Sequence, residues 1–376
     1  MFLLVYTMQP QNPFKYGMVV TGKDFVNRKE EIDTLTKNLT AGQHIILYSK
    51  RRLGKTSLMR QTMTLLPKQV IPVYIDLFGI TSKKILLKKM MNELLTVTYP
   101  KFTMLKNELQ KLLKKITVKI VLVKDTVELE LQTGETVTDE EFEEICNLPE
   151  KIAQRKGKQL IVMFDEFQDI TEISSEHLEK TMRSTFQHHK HVSYLFAGSK
   201  TTLMHELFND PKQAFYRFGK EMRLGMIPKK DFESFIQRKF KQTGKYIAPS
   251  VIDMILNFTD GHPYFTQKIC QQIWYDSSTT VDAHAVPLAI QKITQTETDF
   301  YEQIWNSLTP FQKRLLVGLV AKPEMNIYSQ DFIHTFALAS SAHVKRAYEA
   351  LEKKRIIEDE KISDIFFSEW IKRVIT

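Results

Sequence analysis

The chain has 376 residues, room for two or three domains that each bury a core of their own. With 43% apolar and 26% charged residues, and only 13 Gly and 13 Pro, it is neither disordered nor collagen-like, and no stretch approaches the ~20 apolar residues of a membrane span. Formal charge is +9, from 53 Lys+Arg against 44 Asp+Glu. Residues 301–376 hold 11 basic and 10 acidic side chains, so the excess lies upstream, in runs at 50–52, 83–89, 111–119 and 238–245. All but the first of these runs read as solvated helix faces. Two cysteines, Cys146 and Cys270, exclude a disulfide framework. The opening MFLLVYTM lacks the basic flank and small-residue cleavage site of a secretory leader, so a reducing, cytoplasmic setting is expected.

In chain order, residues 44–48 form an apolar run of the buried-strand type, and 56–66 a helix stopped by Pro67. The β-branched run 70–77 is the next strand, and 81–98 a helix with apolar positions at Ile85, Leu86, Met90, Leu94 and Leu95. Strand–helix–strand order at these lengths predicts a parallel α/β sheet. Residues 115–131 break the rhythm: two runs alternating at period two, with Asp125 near the turn, predict an inserted hairpin. A helix over 139–155, a buried strand over 159–164, a helix over 176–189 and a buried strand over 192–197 follow. After Pro228 the pattern becomes helical, with segments 229–242, 249–258 and 264–274 and no convincing strand. Helices over 311–320, 329–336 and 340–354, then short β-like runs at 356–358 and 365–367 around the charged turn 359–361, have the layout of a winged helix.

The strongest chemical signal is S-K-R-R-L-G-K-T, Ser49 to Thr56, between a strand and a helix. It fits the phosphate-binding pattern G-x-x-x-x-G-K-[ST] except for Ser49 in place of the first glycine. Loop N–H groups and the helix N-terminus surround phosphate oxygens, Lys55 reaches the β- and γ-phosphates, and the Thr56 hydroxyl binds Mg²⁺. Serine fits at position 49 where the backbone avoids positive φ. The second signal is the apolar strand L-I-V-M-F-D-E-F-Q-D, residues 160–169, which ends in carboxylates that need partners. Asp165 is placed to hold Mg²⁺ and Glu166 to orient or deprotonate a water, while Asp169 reads as structural. The strand 192–197 ends in Gly198-Ser199, which makes Ser199 a candidate sensor of the γ-phosphate. Histidines 188, 189 and 191 complete no zinc pattern, and no G-x-S-x-G nucleophile motif occurs.

Taken together these residues resemble the prokaryotic predicted ATPases of the STAND branch, related to AAA+ and Orc/Cdc6-like ATPases. The resemblance is carried by F-V-N-R-K-E-E-I (residues 25–32) against hhGRExE, matching at Arg28 and Glu31 but not at Asn27 or Lys29. It is also carried by the R-R-L-G-K-T-S-L loop, the D-E strand, the F-A-G-S turn, and T-D-G-H-P-Y (residues 259–264) against the family's G-x-P lid motif. It implies nucleotide contacts from Val26, Asn27 and Arg28, from the loop residues Ser49, Lys50, Arg51, Arg52, Leu53, Gly54, Lys55, Thr56 and Ser57, and from Pro263, with His262 beside it. Arg183 and Arg217 are candidate arginine fingers, in cis or from a neighbouring subunit.

The expected architecture is α/β: a P-loop NTPase parallel sheet with helices on both faces over 1–227, with the hairpin inserted at about 104–145. A helical lid follows over 228–300 and a winged helix over 301–376. The expected activity is slow, Mg²⁺-dependent hydrolysis of ATP to ADP by a molecular switch that has a protein partner or self-associates. The alternative is a nucleotide-regulated DNA-binding protein, for which His343, Lys345, Arg346, Lys353, Lys354 and Arg355 are the basic residues, offset by Glu349, Glu352 and the acidic run 358–360. A nuclease is set aside because no strand-borne E-x-K follows a carboxylate pair.

Overall fold

The computed structural model describes residues 11–375 apart from 101–107, 109–110, 117, 124–125, 132–136, 174–176 and 200. The chain divides into two units, one over 17–227 and one made of 11–16 with 228–375. Asp125 and parts of the predicted hairpin insertion and of the 176–189 helix lie outside the described residues.

The first unit begins with α1 (Lys29–Thr40), β1 (Ile45–Ser49), α2 (Lys55–Leu65), β2 (Val70–Asp76) and α3 (Lys83–Thr98). An antiparallel hairpin follows, β3 (Val118–Val123) with β4 (Thr126–Leu131), its register placing Val118 opposite Leu131 and Val123 opposite Thr126. Then come α4 (Asp139–Cys146), α5 (Leu148–Lys156), β5 (Gln159–Asp165), a 3₁₀ segment Phe167–Glu172, α6 (Leu178–Phe186), β6 (Val192–Gly198), α7 (Thr201–Asn209) and β7 (Lys220–Leu224). The single helix expected over 139–155 is two. Pro149 has no N–H to donate back to its preceding turn, and the chain re-enters helix at Asn147 with Pro149 in the first turn.

Five strands form one parallel sheet in the order β2-β5-β6-β1-β7. Its strands alternate between two cores, which is the period-two rule applied to a sheet covered on both faces. Ile46, Tyr48, Val162, Phe164, Tyr194 and Phe196 pack with α3 to α7, whereas Ile45, Leu47, Ile161, Met163, Leu195 and Ala197 pack with α1 and α2. Strand β6 lies between β1 and β5, so the residues that follow all three converge on one carboxyl edge, where ligands of open α/β sheets bind.

The second unit contains α8 (Lys229–Gln242), β8 (Tyr246–Ile247), α9 (Pro249–Thr259), α10 (Pro263–Asp276), β9 (Thr280–Val281), α11 (Ala285–Thr296), α12 (Thr298–Asn306), α13 (Pro310–Ala321), α14 (Gln330–Thr335), α15 (Ser341–Lys353), β10 (Ile357–Glu358), β11 (Lys361–Ile362) and α16 (Ile365–Ile375). Two corrections to the sequence reading arise here. Strands β8 and β9 pair in parallel within the region read as purely helical; at two residues each they are too short to show a period. Residues 365–367, read as β-like, open α16 instead. The Asp364 carboxylate accepts from the Phe366 and Phe367 N–H groups, at 2.9 and 3.4 Å, and so caps a helix.

Residues 11–16 are held to α8 and α10. The Asn12 amide donates to the Gln271 carbonyl, the Lys15 N–H donates to Gln267 Oε1, and the Phe14 ring lies 5.0 Å from that of Phe240. Deeper in this unit Lys268 is buried against Glu297, whose other oxygen accepts from the Tyr301 hydroxyl at 2.5 Å, and the Tyr301 hydroxyl also faces Asp364 at 3.4 Å. Burial raises the Asp364 pKa despite two backbone donors. In the winged helix Gly318 admits no side chain: a Cβ there would lie 2.5 Å from Phe332 Cζ and 2.9 Å from Phe336 Cδ2. Gly318→Ala is therefore expected to cost about 1–3 kcal/mol by overpacking, read as a lower Tm in a thermal melt.

Candidate functional site

The site is built from the carboxyl edge of the sheet. Strand β1 ends at Ser49, whose hydroxyl donates to the Lys50 carbonyl at 2.7 Å. Ser49 is not among the positive-φ residues, so a side chain is accommodated where the motif has glycine. The turn is made further on, by Arg52 at φ 62° and Gly54 at φ 88°. No atom would crowd a Cβ at Gly54, so the left-handed backbone, not space, is what demands glycine there. Helix α2 then starts with no side-chain cap and no acidic residue in its first turn. Its leading N–H groups and the positive end of its dipole form an anion site.

Lys55 is only 6% exposed and lies 2.6 Å from Asp165 Oδ1 and 2.8 Å from Glu166 Oε1. The Thr56 hydroxyl donates to Asp165 Oδ2 at 2.6 Å. The other oxygen of Glu166, Oε2, accepts from the Ser199 hydroxyl and from the Gln168 amide, both at 2.7 Å. Burial opposes ionisation of Glu166, but the Lys55 charge and the bonds from Lys55, Ser199 and Gln168 outweigh it and hold the carboxyl below its ordinary range. Asp169 accepts from the Gln168 amide at 3.0 Å and from the Gly79 N–H at 3.2 Å.

The structure thus brings together Lys55, Thr56, Asp165, Glu166 and Ser199. Leu53 and Ser57 are buried beneath the loop, and the Ser57 hydroxyl accepts from the Val20 N–H at 3.0 Å. Arg51 and Arg52 are exposed and Lys50 is half-buried. Val26 is buried, and the exposed Asn27 caps the Lys29 N–H at 3.1 Å. Arg28 is 3% exposed, and its guanidinium donates to the Gly225 carbonyl at 2.8 Å, the Leu53 carbonyl at 3.3 Å and Glu31 at 2.8 Å. It ties the loop, at Leu53, to Gly225. Arg28→Met removes all three bonds and leaves the buried Leu53 carbonyl unpaired, so a loss of about 1–3 kcal/mol is expected, measured as a lower Tm.

Pro263 belongs to the second unit, where it opens α10 after Asp260 and Gly261, at φ 50° and 68°. Neither arginine-finger candidate reaches the loop. Arg183 lies 4.1 Å over the Phe218 ring, which is 4.7 Å from that of His44, the residue before β1. Arg217 precedes β7, whose first residue pairs with Ile45 at the start of β1. Both arginines therefore lie at the amino edge, a strand length of roughly 15 Å from the loop.

Two residues of the site carry no motif. Tyr74 on β2 donates to Asp165 Oδ2 at 2.9 Å and lies beneath the Arg60 guanidinium at 3.7 Å. Burial and then the neighbouring Asp165 charge push its phenol well above the usual range. Gln168 is the other, 1% exposed between Glu166 and Asp169.

The donor set fits a nucleotide with Mg²⁺: an uncapped helix N-terminus and a lysine for phosphates, and a hydroxyl and a carboxylate for a hard cation that keeps water ligands. Among the described residues no group of three or more His, Cys, Asp or Glu is placed to hold a metal, and no helix is long and apolar enough to cross a membrane. Cys146 and Cys270 are buried, and burial pushes both thiols up.

Comparison with known proteins agrees with this geometry. Residues 25–269 match a family described as an ATPase domain predominantly from Archaea, and 299–373 match one described as a probable winged helix domain. The chain belongs to that ATPase family and carries a winged helix after it. Among solved structures it is similar to the Walker-type ATPase paby2304 of Pyrococcus abyssi, with 18% identity and a TM-score of 0.65 over 93% of this chain and 97% of that one. It is also similar to the Aeropyrum pernix ORC2 protein in ADPNP–ADP complexes, with 11% identity and a TM-score of 0.55 over 93% of each chain. The Aeropyrum pernix ORC1 protein in complex with DNA matches at 11% identity and 0.51 over 94% of each. At these identities the likeness is one of fold. No curated protein matches.

Proposed function

We propose that the chain is a Mg²⁺-dependent ATPase of the STAND type, a slow molecular switch whose nucleotide state is transmitted to the C-terminal winged helix. The observation that carries this reading is the cluster in which Lys55, Thr56, Asp165, Glu166 and Ser199 are joined by bonds of 2.6–2.8 Å beside an uncapped helix N-terminus. Lys55 and the α2 amides bind the triphosphate. Thr56 and Asp165 would hold Mg²⁺, which when bound would supply positive charge to the phosphate oxygens. Glu166 orients the water and takes its proton as the water oxygen bonds to the γ-phosphorus. The bond from that phosphorus to the bridging oxygen breaks, and ADP leaves with the electron pair. Ser199 senses the γ-phosphate through its bond to Glu166.

The amino-edge positions of Arg183 and Arg217 favour a finger role from a second copy of the chain over one in cis. On α15 the exposed His343, Lys345, Arg346 and Lys353 share the surface with exposed Glu349 and Glu352, and Lys345 faces Glu349 at 4.0 Å. That mixed surface favours a protein partner over DNA, which calls for a clear positive excess.

The test is ATP binding and phosphate release by the purified chain, with Mg²⁺ and with EDTA. Binding with slow, Mg²⁺-dependent release is expected. A chain that binds no nucleotide under either condition overturns the reading.

A further inference from the structure

Gln168 lies one turn past the carboxylate strand, in the 3₁₀ segment, and is 1% exposed. Its Nε2 donates to Glu166 Oε2 at 2.7 Å and to Asp169 Oδ1 at 3.0 Å. The orientation of this amide is fixed by charge. Flipped, it would set its carbonyl oxygen against two carboxylates. As it stands, Oε1 is buried with no donor in reach among the described residues, packed against the backbone of β6, where a Cβ on Gly198 would lie 2.5 Å away. A buried, unsatisfied carbonyl is tolerated here in exchange for the grip of Nε2 on Glu166. The glycine of the F-A-G-S turn leaves room that both the amide and the Met204 side chain occupy.

Glu166 is itself at φ 51°, a left-handed conformation unusual for a residue with a side chain, so its carboxylate is aimed by its contacts and not by a relaxed backbone. The charged and polar groups facing it are Lys55 from α2, on Oε1, and Ser199 from the end of β6 with Gln168, both on Oε2; Asp165 and Asp169 flank it.

We propose that Gln168 is a positioning residue for ATP hydrolysis: with Ser199 it clamps Oε2 of Glu166, so that Oε1, which receives Lys55 in this structure, is the oxygen that takes the proton from water once Lys55 turns to the phosphates. The clamp is anchored in turn, since Asp169 is tied to the Gly79 N–H in the loop after β2. This inference rests on the ATPase reading above.

The test measures ATP affinity by calorimetry and steady-state ATP hydrolysis with Mg²⁺ for wild type, Gln168→Met, Glu166→Gln and the double variant. Methionine matches glutamine in length and lacks the donor. The expected result is ATP affinity and KM within about two-fold of wild type, with kcat about 10- to 100-fold lower, the mark of lost orientation and not lost binding. In the Glu166→Gln background Gln168→Met is expected to change the residual rate no further, because its effect passes through Glu166. Gln168→Leu, which also lacks the donor, should reproduce the kcat loss if Gln168→Met does not fold. Wild-type kcat in Gln168→Met, or an equal loss on both backgrounds, overturns the proposal while leaving the ATPase reading intact. A Glu166→Gln that hydrolyses ATP equally well overturns the proposal and the role given to Glu166, and a wild type that does not hydrolyse ATP overturns the ATPase reading as well.

Discussion

Replacing Lys55 with methionine is expected to reduce ATP affinity by more than about 100-fold, to below detection in a calorimetric titration at micromolar protein. Truncating one member of a buried, hydrogen-bonded charge pair costs roughly 2–5 kcal/mol, and each 1.4 kcal/mol is a factor of ten. Two effects add. The variant loses the Lys55 ammonium, and it leaves Asp165 and Glu166, which Lys55 holds at 2.6 and 2.8 Å, as uncompensated negative charge where a triphosphate must sit. The same substitution separates binding from folding through pH. Glu166 has a depressed pKa in the folded chain, so the stability contributed by its pairing is complete above the ordinary carboxylate range and is lost as pH falls through the depressed value. The Tm difference between wild type and Lys55→Met should therefore be widest near neutral pH and shrink in acid. A difference that stays constant down to the acid transition would mean that the ion pair adds nothing to stability.

What could be read from the sequence was local, and what could not was set by strand neighbours. The loop from Ser49 to Thr56 and the D-E pair at 165–166 are contiguous, and their context of apolar strand before and helix after lies within a dozen residues. Tyr74 is different. In the β2–β5 register Tyr74 pairs with Met163, so Asp165 lies two residues further along and on the same face, within reach of a long side chain. Nothing in the sequence says that β2 pairs with β5 and not with β1; that order is fixed only when β6 inserts between β1 and β5. Gln168 was in view, inside the D-E-F-Q-D string, but its role depends on the path of the 3₁₀ segment, which carries no periodicity. The misread α16 shows a different failing, that of window length. Three residues, Ile365 to Phe367, look like a strand, yet Phe366, Phe367, Trp370 and Ile371, all buried, are spaced as one helix face across eleven residues. Asp364 in front of them was the capping signal. Arg28 matched a family signature, but its three bonds, to Glu31 and to the Leu53 and Gly225 carbonyls, are a use of guanidinium that geometry alone displays.

Glu166→Gln is expected to keep ATP binding and lose hydrolysis, with kcat about 100-fold lower or more, the span over which a positioned general base acts. The substitution keeps the length of the side chain and a carbonyl oxygen to accept from Ser199 and Gln168, so the clamp on that oxygen can persist while the proton acceptor is gone. It also removes one negative charge from beside the phosphates, so ATP affinity should be unchanged or higher, and the variant should accumulate as an ATP complex. Phosphate release in a single turnover, with bound nucleotide identified after denaturation, distinguishes this from simple inactivation: intact ATP on the variant, ADP on the wild type. Should the variant turn over at the wild-type rate, another carboxylate must serve, and the neighbours leave little choice. Asp169 is 8% exposed, and each of its two oxygens already accepts a bond, from Gln168 and from the Gly79 N–H. Asp165 receives Lys55, Thr56 and Tyr74. Glu166 alone of the three carboxylates has a side chain as much as 23% exposed, which is what a group must offer if a water is to reach it.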